Sequence, residues 1–84
     1  MSWTISFPPG SPQAGEEVCV TLTGGGGSLP EVTVSFDGDP PVEVTDIKDQ
    51  GGGVFIVCFT VPPGTHFGKI SVSSKRGGVG TQYF

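Results

Sequence analysis

Apolar and polar residues alternate with a period of two along most of the chain, which is the pattern of half-buried β-strands. In Glu17–Thr23, for example, Val18, Val20 and Leu22 form one face. Clusters of Gly and Pro separate such segments, as turns separate the strands of an all-β domain. No window shows apolar residues at helical spacing over two turns. The pattern predicts seven strands: Trp3–Phe7, Glu17–Thr23, Val32–Phe36, Val42–Val44, Val54–Val61, Lys69–Ser73 and Val79–Phe84.

The longest apolar segment is Val54–Val61, which reads VFIVCFTV and ends at Pro62-Pro63-Gly64. Any core must include it, because no other segment is so long and so apolar. Asp46–Gly53, just before it, is predicted to be a polar loop. Short strands about ten residues apart indicate an all-β, two-sheet sandwich of about seven antiparallel strands.

The chain of 84 residues is long enough for one small domain. Met1-Ser2-Trp3 leads directly into a predicted strand, so we expect no signal peptide at this position. We therefore expect residues 1–84 to be a single domain cut from a larger protein.

Charge and hydropathy exclude two classes of partner. The net charge is −4, with only four Lys and Arg residues. Such a chain repels phosphate backbones, so we expect no nucleic-acid binding by this domain alone. It contains no run of 18 apolar residues, so we expect no membrane insertion.

Candidate catalytic and binding motifs have simple structural explanations. Gly24–Gly27 leads into Ser28-Leu29-Pro30 and another strand, whereas a phosphate-binding loop requires a helix there. His66 has no second histidine with which to form a metal site. The acidic residues at 37, 39, 43, 46 and 49 do not have EF-hand spacing, although a loop-borne calcium site stays open. No nucleophile–base pair is apparent, so we expect no enzyme activity, no cofactor and no metal.

Four segments, in this order, resemble the IPT/TIG domain, an immunoglobulin-like domain of the E-set class. That family occurs in plexins, in the hepatocyte growth factor receptor group and in several transcription factors. The resemblance implies an immunoglobulin-like sandwich without a catalytic motif. The segments are ISFPPGSPQAGEEVCVTLTG at 5–24, VTVSFDG at 32–38, FTVPPG at 59–64 and GKISVSS at 68–74.

The resemblance also implies that strands 17–23 and 54–61 pair antiparallel in one sheet. Matching their apolar faces then sets Val20 against Val57 and Cys19 against Cys58. The two cysteines are candidates for a disulfide, which would stabilise the fold by roughly 4 kcal/mol. The alternative is a pair of reduced thiols in a cytosolic protein.

That register places Val54 and Ile56 on the outer face of the sheet. Apolar residues there are a candidate interface with another domain or with a second copy of the chain. Scattered exposed apolar residues are also ordinary in monomers.

The resemblance implies a non-catalytic spacer or protein-interaction module of a larger extracellular or cell-surface protein. Its partners would be proteins or neighbouring domains, including a second copy in a homodimer. Reduced cysteines would indicate an intracellular protein instead. One alternative is a carbohydrate- or surface-binding module, which needs exposed aromatic residues such as Phe67, Tyr83 and Phe84. The other is the dimerisation domain of a transcription factor, which needs reduced cysteines and a basic neighbouring region.

Overall fold

A computed structural model describes residues 2–10, 12–76 and 78–84. The expectation drawn from Met1 lies outside them. Within these ranges the chain forms eight strands and no helix, arranged as two antiparallel four-stranded sheets. The prediction of an all-β two-sheet sandwich is therefore confirmed. The strands are β1 (Thr4–Ser6), β2 (Glu17–Thr23), β3 (Glu31–Phe36), β4 (Val42–Val44), β5 (Ile47–Gly51), β6 (Val54–Thr60), β7 (Gly68–Ser74) and β8 (Gly78–Tyr83).

The strand order is that of an immunoglobulin-like sandwich. The first sheet has the order β1-β2-β6-β5 and the second the order β4-β3-β7-β8. If the strands are lettered in chain order with β4 as C′, the first sheet is the ABED sheet of such domains. The second sheet is then C′CFG. The chain changes sheet between β2 and β3, between β4 and β5, and between β6 and β7.

The strand β5 replaces most of the predicted polar loop at 46–53. It pairs with β6, and the register shifts between Asp49 and Gly51. The Asp49 Oδ1 atom accepts a hydrogen bond of 2.8 Å from the Gly51 amide and so helps to close the turn. Ile47 is the only large apolar residue of this edge strand, so no alternation reveals it.

The core lies between the two sheets and consists of the inward positions of their strands. Phe55, Val57, Phe59 and Val61 are all buried, as the parity of this segment predicts. Complete burial of one such side chain stabilises a fold by about 1.5–3 kcal/mol. The rest of the buried apolar set is Trp3, Val18, Val20, Leu22, Val32, Val34, Ile70 and Val72.

Aromatic residues occupy both ends of this core. At one end the Trp3 ring packs edge-on against Phe55, with 6.0 Å between centroids, and Trp3 Nε1 donates a hydrogen bond to Ser74 Oγ at 3.1 Å. Gly25 is buried against the same indole, where a Cβ atom would overlap the ring. Glycine at this position therefore allows Trp3 to reach the core.

At the other end Phe84 packs against Phe7, Phe36 and Phe59, with centroid distances of 5.2–6.4 Å. Gly68 makes room for it, because a Cβ there would collide with the Phe84 ring. The backbones of Gly68 and Phe84 also exchange two hydrogen bonds, of 2.8 and 3.0 Å. Phe84 is thus partly buried against the core, and its ring contacts other aromatic side chains rather than forming an exposed platform.

Candidate interaction surfaces

Cys19 and Cys58 lie directly opposite each other and form a disulfide. The predicted register is confirmed throughout, since Val20 faces Val57 in the same pairing. The Cys58 amide donates to Asp46 O, on the side away from β2. Cys19 and Cys58 therefore exchange no backbone hydrogen bonds between β2 and β6. The two Cα atoms of such a non-hydrogen-bonded pair lie closer together than those of a hydrogen-bonded pair. The separation of 4.1 Å between the two Cα atoms agrees with this. The bridge links neighbouring strands on the outer face of one sheet, whereas antibody domains join their two sheets.

Val54 and Ile56, the predicted interface residues, share this outer face with Cys58. Both are partly buried, and the register places Lys48 beside Ile56. Their role as an interface stays a prediction. The large apolar residues that are most exposed in the described part of the chain lie elsewhere: Leu29, Val42, Phe67, Val79 and Tyr83.

Val42 is exposed although its register places it on the inner side of the second sheet. It pairs with Val34, which is 1% exposed, yet Val42 itself is 59% exposed. The reason is the course of the chain after β4. The connection crosses to the first sheet at Thr45 and Asp46, and β5 pairs with β6 only as far as Val57. Past that point no described strand covers this side of the sandwich.

The uncovered side holds two adjoining cavities of about 270 Å³ and 460 Å³, which share Phe36 and Val42 in their linings. We refer to them together as the β4 groove. One wall is β4 and the other is the end of β6 with the Pro62-Pro63 turn. The apolar lining residues are Val34, Phe36, Pro40, Val42, Val44, Phe59, Pro62 and Pro63.

Carboxylates surround this groove. Four acidic residues contribute to its lining, and no Lys, Arg or His residue of the described chain does so. The surface is therefore an apolar groove with a negative rim. From the sequence these acids are only candidate ligands of a loop-borne calcium site, because their shared position depends on the fold. They are Asp37, Asp39, Glu43 and Asp46.

The free edge of β4 also faces outward beside the groove. Gly68 exchanges hydrogen bonds with Phe84, so the backbone N–H and C=O of Gly68 point to β8. Phe36 of β3 lies opposite Gly68, and its backbone N–H and C=O therefore point the other way, to β4. The donation from Asp39 N to Phe36 O at 3.0 Å agrees with this direction. Because strand groups alternate, Val42 also bonds to β3 and the N–H and C=O of Glu43 point away from the sheet.

The opposite edge of the second sheet is β8. By the same alternation, Gly80 and Gln82 bond to β7, and the backbone groups of Val79, Thr81 and Tyr83 face solvent. Residues 78–83 include no charged residue and no proline. Such residues commonly protect edge strands from pairing with other chains. They occur at two other edges, as Pro41 and Glu43 at β4 and as Lys48 and Asp49 at β5, while β1 has only three residues.

Asp37 fixes the end of the groove. It has a positive φ of 53°, and its Oδ1 accepts hydrogen bonds from the amides of His66 at 2.8 Å and Phe67 at 3.0 Å. These backbone hydrogen bonds, from Phe67 first and then from His66, lower the pKa of the Asp37 carboxyl. The carboxylate thereby ties the turn after β3 to the loop before β7.

The described residues hold no group of three or more His, Cys, Asp or Glu side chains placed to bind a metal ion. They also form no helix long and apolar enough to cross a membrane.

Replacing both cysteines with serine should lower the free energy of unfolding by about 4 kcal/mol, because the bond closes a loop between residues separated by 39 positions. Urea denaturation in oxidising buffer measures this loss. Wild-type protein treated with a reductant should lose about as much. Two free thiols in unreduced protein would contradict the bond.

The hydrogen bonds to the Asp37 carboxylate should make the stability of the fold depend on pH in the acidic range. A carboxylate with a lowered folded-state pKa stabilises the fold above its unfolded value of about 3.9. That contribution is lost as the pH falls through the lower folded value. Asp37→Asn keeps an acceptor oxygen but no longer titrates, so thermal unfolding midpoints should fall less steeply below about pH 4. Asp39→Asn is the control and should retain the wild-type slope. Identical slopes for wild type and Asp37→Asn would contradict this role.

The comparisons with known proteins leave the family undecided. No protein-family model, no curated protein and no solved structure matches the chain. The fold and the surfaces described above therefore rest on the residues of this chain alone, and the likeness to IPT/TIG domains stays a prediction.

Proposed function

We propose that the chain is a non-catalytic protein-interaction module of a larger extracellular or cell-surface protein, and that its β4 groove binds a segment of another protein. The observation that carries this proposal is the exposure of Val42. An inward-facing apolar residue, 59% exposed at the mouth of a groove, marks a surface that a partner would cover.

The groove combines two features of protein-recognition sites. Its centre is apolar and its rim is charged, as in the anatomy of protein interfaces. It also lies beside free backbone groups of an edge strand, to which extended peptides add in several recognition domains. The stiff sandwich would act as a spacer that holds this groove in place.

The disulfide supports the extracellular part of the proposal. Such bonds persist in oxidising compartments and are rare in the cytosol. The resemblance to IPT/TIG domains points to the same kind of role, because those domains serve as spacers and adhesion units.

Selection of displayed random peptides against the protein tests the proposal. Enriched peptides should bind Val42→Gln about tenfold more weakly than wild type, since the change removes apolar area from the groove. Val79→Gln is the matched control, because Val79 is 65% exposed on the opposite edge of the same sheet. It should bind the peptides as wild type does. Failure to enrich any peptide, or equal binding to both variants, would reject the groove as a binding site.

A homodimerisation element is a second candidate function, favoured by the β8 edge. Two copies related by a two-fold axis at Thr81 would set Val79 of one copy opposite Tyr83 of the other. This arrangement would pair the backbone N–H and C=O groups of Val79, Thr81 and Tyr83 in each copy, one of which, Tyr83 O, already accepts a hydrogen bond from Gln82 Nε2. It also brings β-branched and aromatic side chains together, which stabilises antiparallel pairs.

Sedimentation at high protein concentration tests this second function. Thr81→Lys should abolish association, because two lysines would face each other, whereas Thr33→Lys, on the same outer face of β3, should leave it intact. Association that only Ile56→Lys abolishes would place the contact at the predicted Val54 and Ile56 surface instead. A wild type that stays monomeric throughout would reject both arrangements.

A further inference from the structure

We propose that the segment bound in the β4 groove is an extended strand in which apolar residues alternate with Lys or Arg, and that it adds to the free edge of β4. This inference rests on the proposed function and names the chemistry of its partner.

The backbone of β4 provides the attachment. Val42 and Val44 pair with Val34 and Val32 of β3, and the N–H and C=O of Glu43 are directed away from the sheet. A strand laid along this edge would receive one hydrogen bond from Glu43 and donate another to it. The second sheet would then extend from four strands to five.

The alternation in the bound segment, which we call the guest, follows from the two faces of the sheet. Side chains of a strand point alternately to opposite faces. Every second residue of the guest would therefore lie over Val42 and reach Phe36 and Pro62 in the groove, and these positions need apolar side chains. The residues between them would lie on the outer face, where Glu43 pairs with Thr33.

The charge of the rim selects basic residues for those outer positions. Asp39, Glu43 and Asp46 have no ion-pair or hydrogen-bond partner for their carboxylates in the described part of the chain, while Asp37 accepts from two amides. A guest with Lys or Arg would neutralise this rim. A second copy of the chain would bring like charges together at the same edge, so charge complementarity favours a basic partner.

The guest makes few backbone contacts. The strand β4 has three residues, and Pro41 has no amide hydrogen to offer on the side that faces the guest. Affinity must therefore depend on side chains in the groove and on charge. Binding should weaken as ionic strength rises, because the rim is exposed to solvent.

A synthetic peptide that alternates valine with lysine is the probe, and titration followed by amide chemical shifts is the measurement. Shifts should concentrate at Val42–Thr45 and Phe36. Glu43→Gln should weaken binding about fivefold to tenfold, whereas Glu31→Gln, on the outer face at the far end of β3, should leave it unchanged. A peptide of alternating valine and glutamate should not bind.

The outcomes separate this inference from the function on which it rests. Displayed peptides that need Val42 but carry no basic residues, or that bind Glu43→Gln as well as wild type, would overturn the inference and leave the groove as a binding site. The absence of any peptide that needs Val42 would overturn both. Binding of the valine–lysine peptide that neither Val42→Gln nor Glu43→Gln weakens would reveal only general attraction to an acidic protein, and would also overturn the inference.

Discussion

The pairing of β2 with β6 is the interaction on which the first sheet depends. One antiparallel register places Val20 against Val57 on the inner face and Cys19 against Cys58 on the outer face. A slip of one residue would turn all the apolar side chains of one strand toward solvent, because side chains alternate along a strand. The disulfide excludes such a slip covalently. The first sheet and its half of the core follow from this register.

The four edge strands of the sandwich differ in how they meet solvent. The short β1 and the charged, bulged β5 offer little to another chain. At β4 a proline and a glutamate discourage pairing of the backbone with other chains, but an apolar groove remains beside the strand. The edge of β8 has neither a proline nor a charged residue. A foreign basic strand suits the first of these two open edges, and an uncharged strand suits the second.

Alternation along the chain predicts the register of the first sheet, because both strands have a clear apolar face. The same rule misses β5, since an edge strand with polar residues on both faces has no alternation to read. The pairing of Val42 with Val34 places the Val42 side chain on the inner side of the second sheet. The exposure of Val42 depends on where β5 stops along β6, which is a property of packing between distant segments and cannot be read from alternation. The packing of Phe84 against the core has a similar cause, since the space that its ring fills exists only because residue 68 is glycine.

The position of the disulfide has a mechanical consequence for a domain that serves as a spacer. A force applied to the two ends would travel from β1 to Cys19, cross the sulfur bridge to Cys58, and leave through β8. The segment between the cysteines, separated by 39 positions, would bear no tension and could not be drawn out. The disulfide thereby prevents about 130 Å of contour length from extending when the chain is stretched. The strand β4 lies inside that protected segment, whereas the facing wall of its groove, which includes Phe59 and Pro62, follows Cys58 and lies on the loaded path. Force on the two ends would therefore act directly on only one wall of the recognition surface.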